Sequence, residues 1–185
     1  MDALTLDLAT EADTSRLARA FASLLVAGDT VLLEGPIGAG KSHFCRALIQ
    51  SRLGRAEDVP SPTFTLVQTY QADVEIWHAD LYRLTHPDEV LELGLDEAFA
   101  DAICLIEWPD RLGSHQPPGA IRIRLADAGE GRSAGIDFGA RPELEAMLLA
   151  AWRAEAMGDF LQQTGWGDAG RNALPGMPLP GFMNG

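Results

Sequence analysis

The residues best equipped for chemistry in this chain are Gly35-Pro36-Ile37-Gly38-Ala39-Gly40-Lys41-Ser42, eight positions that fit G-x-x-x-x-G-K-[ST]. Glycines at the first, fourth and sixth places let the backbone curl round an anion so that successive N–H groups point inward. The adjacent Lys41 supplies a charge that can reach the β- and γ-phosphates, and the Ser42 hydroxyl is a ligand type for magnesium. The cofactors such a loop takes are a nucleoside triphosphate and Mg2+, contacted by Gly35, Ile37, Gly38, Ala39, Gly40, Lys41, Ser42 and His43. An apolar run, Thr30 to Glu34, precedes the loop, and Phe44, Leu48 and Ile49 recur at helical spacing after it. Strand, glycine loop and helix is the context the motif needs, because the helix turns its positive dipole end toward the same anion.

Hydrolysis at such a loop needs a strand-end acid for the cation and a group that orients water. Glu107 closes the apolar run Ala102 to Ile106, and Asp80 closes Val74 to Ala79. Both are candidate catalytic acids, with Ser42 and Glu107 the candidate metal ligands; each is also what a solvated strand-end acid or helix cap looks like. Thr63, after Pro60-Ser61-Pro62, is placed for a segment that senses the γ-phosphate. Trp108, Tyr82 and Arg83 follow the two acids closely and are candidate contacts to a nucleotide or partner, with rim packing or a surface ion pair as the plainer alternatives.

The elements that must position these groups are legible in outline. Thr10-Glu11-Ala12-Asp13 reads as a capping box, followed by Leu17, Ala20, Phe21, Leu24 and Leu25 at helical spacing up to Gly28. Phe64 to Tyr70 and Val74 to Asp80 read as an antiparallel hairpin, and His86 to Leu93 as a short acidic helix with another starting near Asp96. Ala102 to Trp108 is apolar throughout, as in a strand buried on both faces; Ile121 to Leu125 alternates, and a last strand lies near Ser133 to Phe138. A helix runs from Pro142 to about Met157. The expected architecture is α/β, a three-layer sandwich of the P-loop NTPase kind with a mixed, mainly parallel sheet and an antiparallel hairpin: residues 1–140 as the ATPase domain, 141–157 as a C-terminal helix, and 158–185, rich in Gly and Pro, as a poorly ordered tail.

Composition narrows the rest. The chain has 185 residues, 46% hydrophobic and 22% charged, enough for one α/β core. With 27 acidic against 14 basic side chains the net charge is −13, and such a surface should repel nucleic acid rather than bind it. Cys45 and Cys104 lie in apolar patterns rather than a C-x-x-C pair, and His43, His78, His86 and His115 show no ligand spacing. The expectation is therefore buried free thiols, no sulfur-bound metal, and only a hard, oxygen-bound cation. No apolar run reaches bilayer length, and Met1-Asp2-Ala3-Leu4 lacks the basic and apolar regions of a signal peptide, so the expected location is the cytoplasm.

A small-molecule kinase shares the strand, loop and helix. It needs several cations to clamp its acceptor, and only Arg83 and Arg111 lie near the expected site loops. A GTPase needs N-K-x-D, and the only asparagines are Asn172 and Asn184. A nucleotide-binding module with negligible turnover is the third alternative.

Gly35 to Ser42, Ser61-Pro62-Thr63-Phe64-Thr65-Leu66-Val67, His78-Ala79-Asp80-Leu81-Tyr82-Arg83-Leu84, Glu92-Leu93-Gly94 and Ile106-Glu107-Trp108-Pro109, in this order and spacing, resemble the TsaE (YjeE) family over roughly residues 3–140. The resemblance implies a small bacterial P-loop ATPase required for threonylcarbamoyl modification of tRNA adenosine. It implies that Lys41 binds phosphate, Ser42 and Glu107 hold magnesium, Thr63 belongs to a first switch and Asp80 is needed for hydrolysis. It implies TsaB and TsaD as partners, reset between turnovers by ATP binding and hydrolysis, with tRNA met only through that complex. Asp159 to Ala169 separately resembles the start of aminoglycoside phosphotransferase-like sugar kinases, such as cell-wall amino-sugar kinases. A frameshifted fusion would explain Gly176-Met177-Pro178-Leu179 where such kinases continue Gly-Asp-Ala-Ser; a locus without a kinase-like downstream frame would remove that idea.

Overall fold

Two runs in this chain lack polar alternation, Thr30–Glu34 and Ile103–Glu107, and strands apolar on both faces belong where helices cover both sides of a sheet. In the computed structural model, which describes residues 3–55 and 57–164, they are β2 and β5, paired in parallel at the centre of a seven-stranded sheet. The other strands are β1 (Leu4–Leu8), β3 (Val67–Gln71), β4 (Glu75–Asp80), β6 (Ile121–Ala128) and β7 (Gly131–Asp137). Their order is β1-β7-β6-β2-β5-β4-β3. The three central pairings, β6–β2, β2–β5 and β5–β4, are parallel; β4–β3, β6–β7 and β7–β1 are antiparallel. The sheet is mixed, as expected, with its parallel character confined to the strands that end at the loop.

Helices α1 (Glu11–Ala22), α2 (Lys41–Leu53) and α5 (Leu144–Thr164) cover one face; α3 (Glu89–Glu92), α4 (Leu95–Asp101) and a 3-10 segment, Pro109–His115, cover the other. The alternation of β2 and β5 divides their side chains between the two layers. Val31, Leu33, Ile103 and Leu105 join Phe21, Phe44, Leu48 and Ile49 in the larger core, while Leu32, Cys104 and Ile106 join Val90, Leu95 and Leu112 in the smaller. Each fully buried Leu, Ile or Phe contributes about 1.5–3 kcal/mol by leaving water. Phe21 meets Phe44 edge-on at 5.9 Å, fixing α1 against α2.

Several boundaries differ from the sequence reading, each for a local reason. The hairpin's first strand begins at Val67, not Phe64, because Leu66 N–H donates to Pro62 O in a turn that leaves Phe64 86% exposed. Helix α1 stops at Ala22 rather than near Gly28; Ser23 Oγ donates to Ala20 O and takes up a C-terminal carbonyl. Strand β1 was not anticipated, although Leu4, Leu6 and Leu8 alternate with Thr5 and Asp7; it pairs along the whole of Arg132–Ile136. The last helix does not end at Met157 but continues to Thr164, so residues 158–164 are not tail: past Gly158, Asp159 and, one turn earlier, Glu155 pair with Arg19 of α1. The remaining tail, 165–185, and most of the kinase-like stretch lie outside the described residues.

Candidate functional site

Parallel pairing with matched register brings the strand ends to one level. Leu33 of β2 stands beside Glu107 of β5, and Glu107 beside Asp80 of β4. The glycine loop leaves β2 at that level, and ligands of open α/β sheets sit at such carboxyl ends. A cleft of about 610 Å³ opens there, lined by Ile37, Gly38, Gly40, Lys41, Ser42 and His43 from the loop and α2, with Thr63, Asp80, Tyr82, Glu107 and Trp108 across from them.

Two glycines of the loop are required by its shape. A Cβ on Gly35, at φ 141°, would run into the Leu125 carbonyl of β6, and Gly40, at φ 99°, caps α2 with no side chain. The first turn of α2 thus has no side-chain acceptor on its N–H groups, the arrangement that receives an anion. Lys41 Nζ donates to Gly35 O at 2.7 Å and Pro36 O at 2.8 Å and lies 4.0 Å from the Trp108 ring centroid. Burial lowers the Lys41 ammonium below its ordinary value, and the charges of Glu107 and Asp80 act against that. Ala39 is buried in the loop, and Gly35 lies behind it.

The two carboxylates have different partners. Glu107 Oε2 accepts from Ser42 Oγ at 2.9 Å, and Oε1 is 2.9 Å from His78 Nε2. Asp80 Oδ2 accepts from Thr63 Oγ1 at 2.8 Å and Ser61 Oγ at 3.4 Å, and Oδ1 accepts from Tyr82 N–H at 3.1 Å. Thus Glu107 belongs to the phosphate loop and Asp80 to the Ser61–Thr63 segment. Ser42 Oγ beside a carboxylate is an all-oxygen donor pair, which fits a hard divalent cation. Trp108 and Tyr82 pack at 4.9 Å between centroids. Trp108 (φ 60°) and Leu66 (φ 64°) are the only non-glycine residues at positive φ among those described; one follows Glu107, and the other's carbonyl accepts from Asp80 N–H. Such strain, about 1–3 kcal/mol each, gathers at functional sites.

Arg83 is not in this cleft: its guanidinium lies 5.2 Å over the exposed Phe64 ring. Arg111 lines a separate hollow with His86 and Pro87. The cations that line the cleft besides Lys41 are Arg46 and Arg132, neither singled out by motif. Arg46 is fixed by Val59 O at 3.0 Å, and Arg132, from β7, reaches Gly38 O at 3.3 Å. Ser61, Glu11 and the buried His78 were also missed as site residues. Ser61 sits inside the Thr63 motif, and His78 lies two residues before Asp80 on the same face of its strand, a period-2 signal that was available. His43 lines the cleft and is 2.7 Å from Ser15 Oγ of α1.

The family model described as "Threonylcarbamoyl adenosine biosynthesis protein TsaE" matches residues 8–134. Proteins named tRNA threonylcarbamoyladenosine biosynthesis protein TsaE include one from Rickettsia bellii, 42% identical over 119 residues, covering 64% of this chain and 83% of the relative. One from Haemophilus influenzae is 33% identical over 159 residues, covering 82% of this chain and 99% of the relative, and one from Bacillus subtilis is 36% identical over 120 residues, covering 64% and 74%. The crystal structure of Bacillus subtilis YdiB matches with a TM-score of 0.66 at 27% identity, over 82% of this chain and 95% of that one.

Proposed function

This chain belongs to the TsaE family of tRNA threonylcarbamoyladenosine biosynthesis, and from that premise we propose that it is a magnesium-dependent ATPase whose nucleotide state regulates or resets a TsaB–TsaD complex in the cytoplasm. The observation that carries this reading is the Ser42–Glu107 hydrogen bond at the open N-terminus of α2, with Lys41 beside it.

Lys41 exchanges the Gly35 and Pro36 carbonyls for β- and γ-phosphate oxygens, a charge-assisted pairing stronger than the one it leaves. Backbone N–H groups of Gly38 to Ser42 hold the same phosphates, and His43 extends the contact along α2. Ser42 Oγ and Glu107 Oε2 would hold magnesium, which would supply positive charge against the transferred phosphoryl group. His78 occupies the other Glu107 oxygen, leaving Oε2 for the cation side. Asp80 and Thr63 form the second half of the site. Freed from the Thr63 hydroxyl, the Asp80 carboxylate orients the attacking water, while Thr63 turns to the γ-phosphate.

The Ser61–Leu66 segment, carrying exposed Phe64, moves with that exchange and presents a different surface to TsaB–TsaD in each nucleotide state. Turnover is slow alone and faster with the partner, which orders the residues that place water. The test is ATP hydrolysis by the purified protein with and without TsaB–TsaD. Glu107→Ala and Asp80→Ala should keep part of the nucleotide affinity and lose on the order of 10²-fold or more in rate. Full turnover in both would overturn the assignment, and hydrolysis indifferent to TsaB–TsaD would overturn the partner role.

A further inference from the structure

One buried cluster joins Glu107 to two side chains that bind no phosphate in the proposed mechanism. Cys45 of α2, His78 of β4 and Glu107 of β5 follow one another along the chain at intervals of 33 and 29 residues, and their ligand atoms lie within 4.8 Å of one another. They are 0%, 1% and 2% exposed. We propose that Cys45, His78 and Glu107 form a second cation site, for a thiophilic divalent ion of the zinc type, directly behind the carboxylate that faces the phosphate loop.

The donor set argues for the class of ion. Thiolate sulfur, imidazole nitrogen and one carboxylate oxygen are zinc's own ligands, whereas magnesium takes oxygen and retains water. Tetrahedral bonds of about 2.0–2.3 Å put ligand atoms roughly 3.3–3.8 Å apart, inside the 4.8 Å that bounds this cluster. A turn of the Glu107 carboxylate would open its 2.9 Å approach to His78 Nε2, since among the described residues its side-chain hydrogen-bond partners are the Ser42 hydroxyl and His78. The imidazole carries an unmet need as well: His78 Nδ1 is buried without a partner, so the ring is not locked from both sides. Three protein ligands leave a fourth vertex for water.

Without the ion the thiol is inert. Burial pushes the Cys45 thiol well above its usual range, and the nearby Glu107 and Asp80 charges push the same way. A divalent cation reverses that field: the Cys45 S–H bond breaks, the thiolate binds the ion, and the proton leaves to solvent through the cleft. Binding draws Glu107 from Ser42. Zinc should therefore inhibit nucleotide turnover by disabling the magnesium carboxylate; this consequence, unlike the binding itself, rests on the ATPase reading.

Cobalt titration of the nucleotide-free protein tests the site, because cobalt bound by thiolate shows an ultraviolet charge-transfer band. One equivalent should produce the band, zinc should bleach it, and Cys45→Ser and Cys45→Ala should both abolish it while circular dichroism shows the fold intact. Cys104→Ala, the other buried thiol, should leave it unchanged. Absence of the band in the parent, its survival in both Cys45 variants, or its loss in Cys104→Ala alone would overturn the site. Should zinc bind through Cys45 yet leave hydrolysis untouched at saturating magnesium, the site stands and its link to Glu107's catalytic role fails.

Discussion

At the scale of single residues, the glycine loop is the least forgiving part of the molecule. Gly35→Ala must place a methyl against the Leu125 carbonyl at a φ that side chains avoid, so we expect a loss of at least about 2 kcal/mol in urea unfolding together with lost nucleotide binding. Lys41→Ala removes only the charge-assisted contact. It should weaken ATP binding by about 10- to 100-fold in calorimetry while the fold persists, since Lys41 contacts only loop carbonyls and the Trp108 face. The thiols make a third case. Burial, then the charge of Glu75, pushes Cys104 up to about 12, and Cys45 is also raised, so neither presents a thiolate near neutral pH. Both should resist a disulfide reagent in the native protein at pH 8 and react as unfolding exposes them; fast native labelling would contradict that burial.

Between elements, the contact with most to reveal is α1 against α5. Arg19 bridges Glu155 and Asp159, and Arg16 stacks 4.5 Å over Trp152. The pairs are partly exposed, so Arg19→Ala should cost only about 1 kcal/mol in global stability. Its local effect should be larger: hydrogen exchange over the last two turns of α5 should accelerate, because Gly158 gives the helix no strength of its own there. This is why the sequence by its local pattern places the helix end too early, at about Met157 instead of Thr164. Gly158 reads as a stop, and Arg19 and Arg16, some 140 residues earlier, pair with Asp159 just past it. Strand β1 taught the same lesson from the other side. Its alternation was readable, but five residues at an edge form a strand only because β7 offers a ladder.

For the whole molecule, charge is the governing property. A net charge of −13 opposes the polyanion that this family's pathway modifies. The protein alone should show no tRNA retardation at physiological salt, and hydrolysis should respond to TsaB–TsaD rather than to free tRNA. A direct complex with tRNA, stable at that salt, would contradict the acidic surface as a barrier to tRNA binding. No helix of the described residues is long and apolar enough to cross a membrane.

The sequence by itself determined the parts whose physics is local. A glycine loop between an apolar strand and an amphipathic helix is recognisable because three backbone requirements fall within eight residues, and Thr10 with Asp13 announces a helix start through bonds only three residues apart. The strand-ending acids were visible too, as carboxylates after apolar runs. Tertiary structure alone decided which partners the two acids take, because the Ser42–Glu107 and Thr63–Asp80 hydrogen bonds depend on the parallel register of β2, β5 and β4. It alone brought Arg132 from the β6–β7 hairpin to the loop, took Arg83 out of the cleft, and joined Cys45 to His78 and Glu107. Spacing along a chain can encode neighbours within a turn or a strand, whereas contacts across three elements exist only once the sheet has set its order and register.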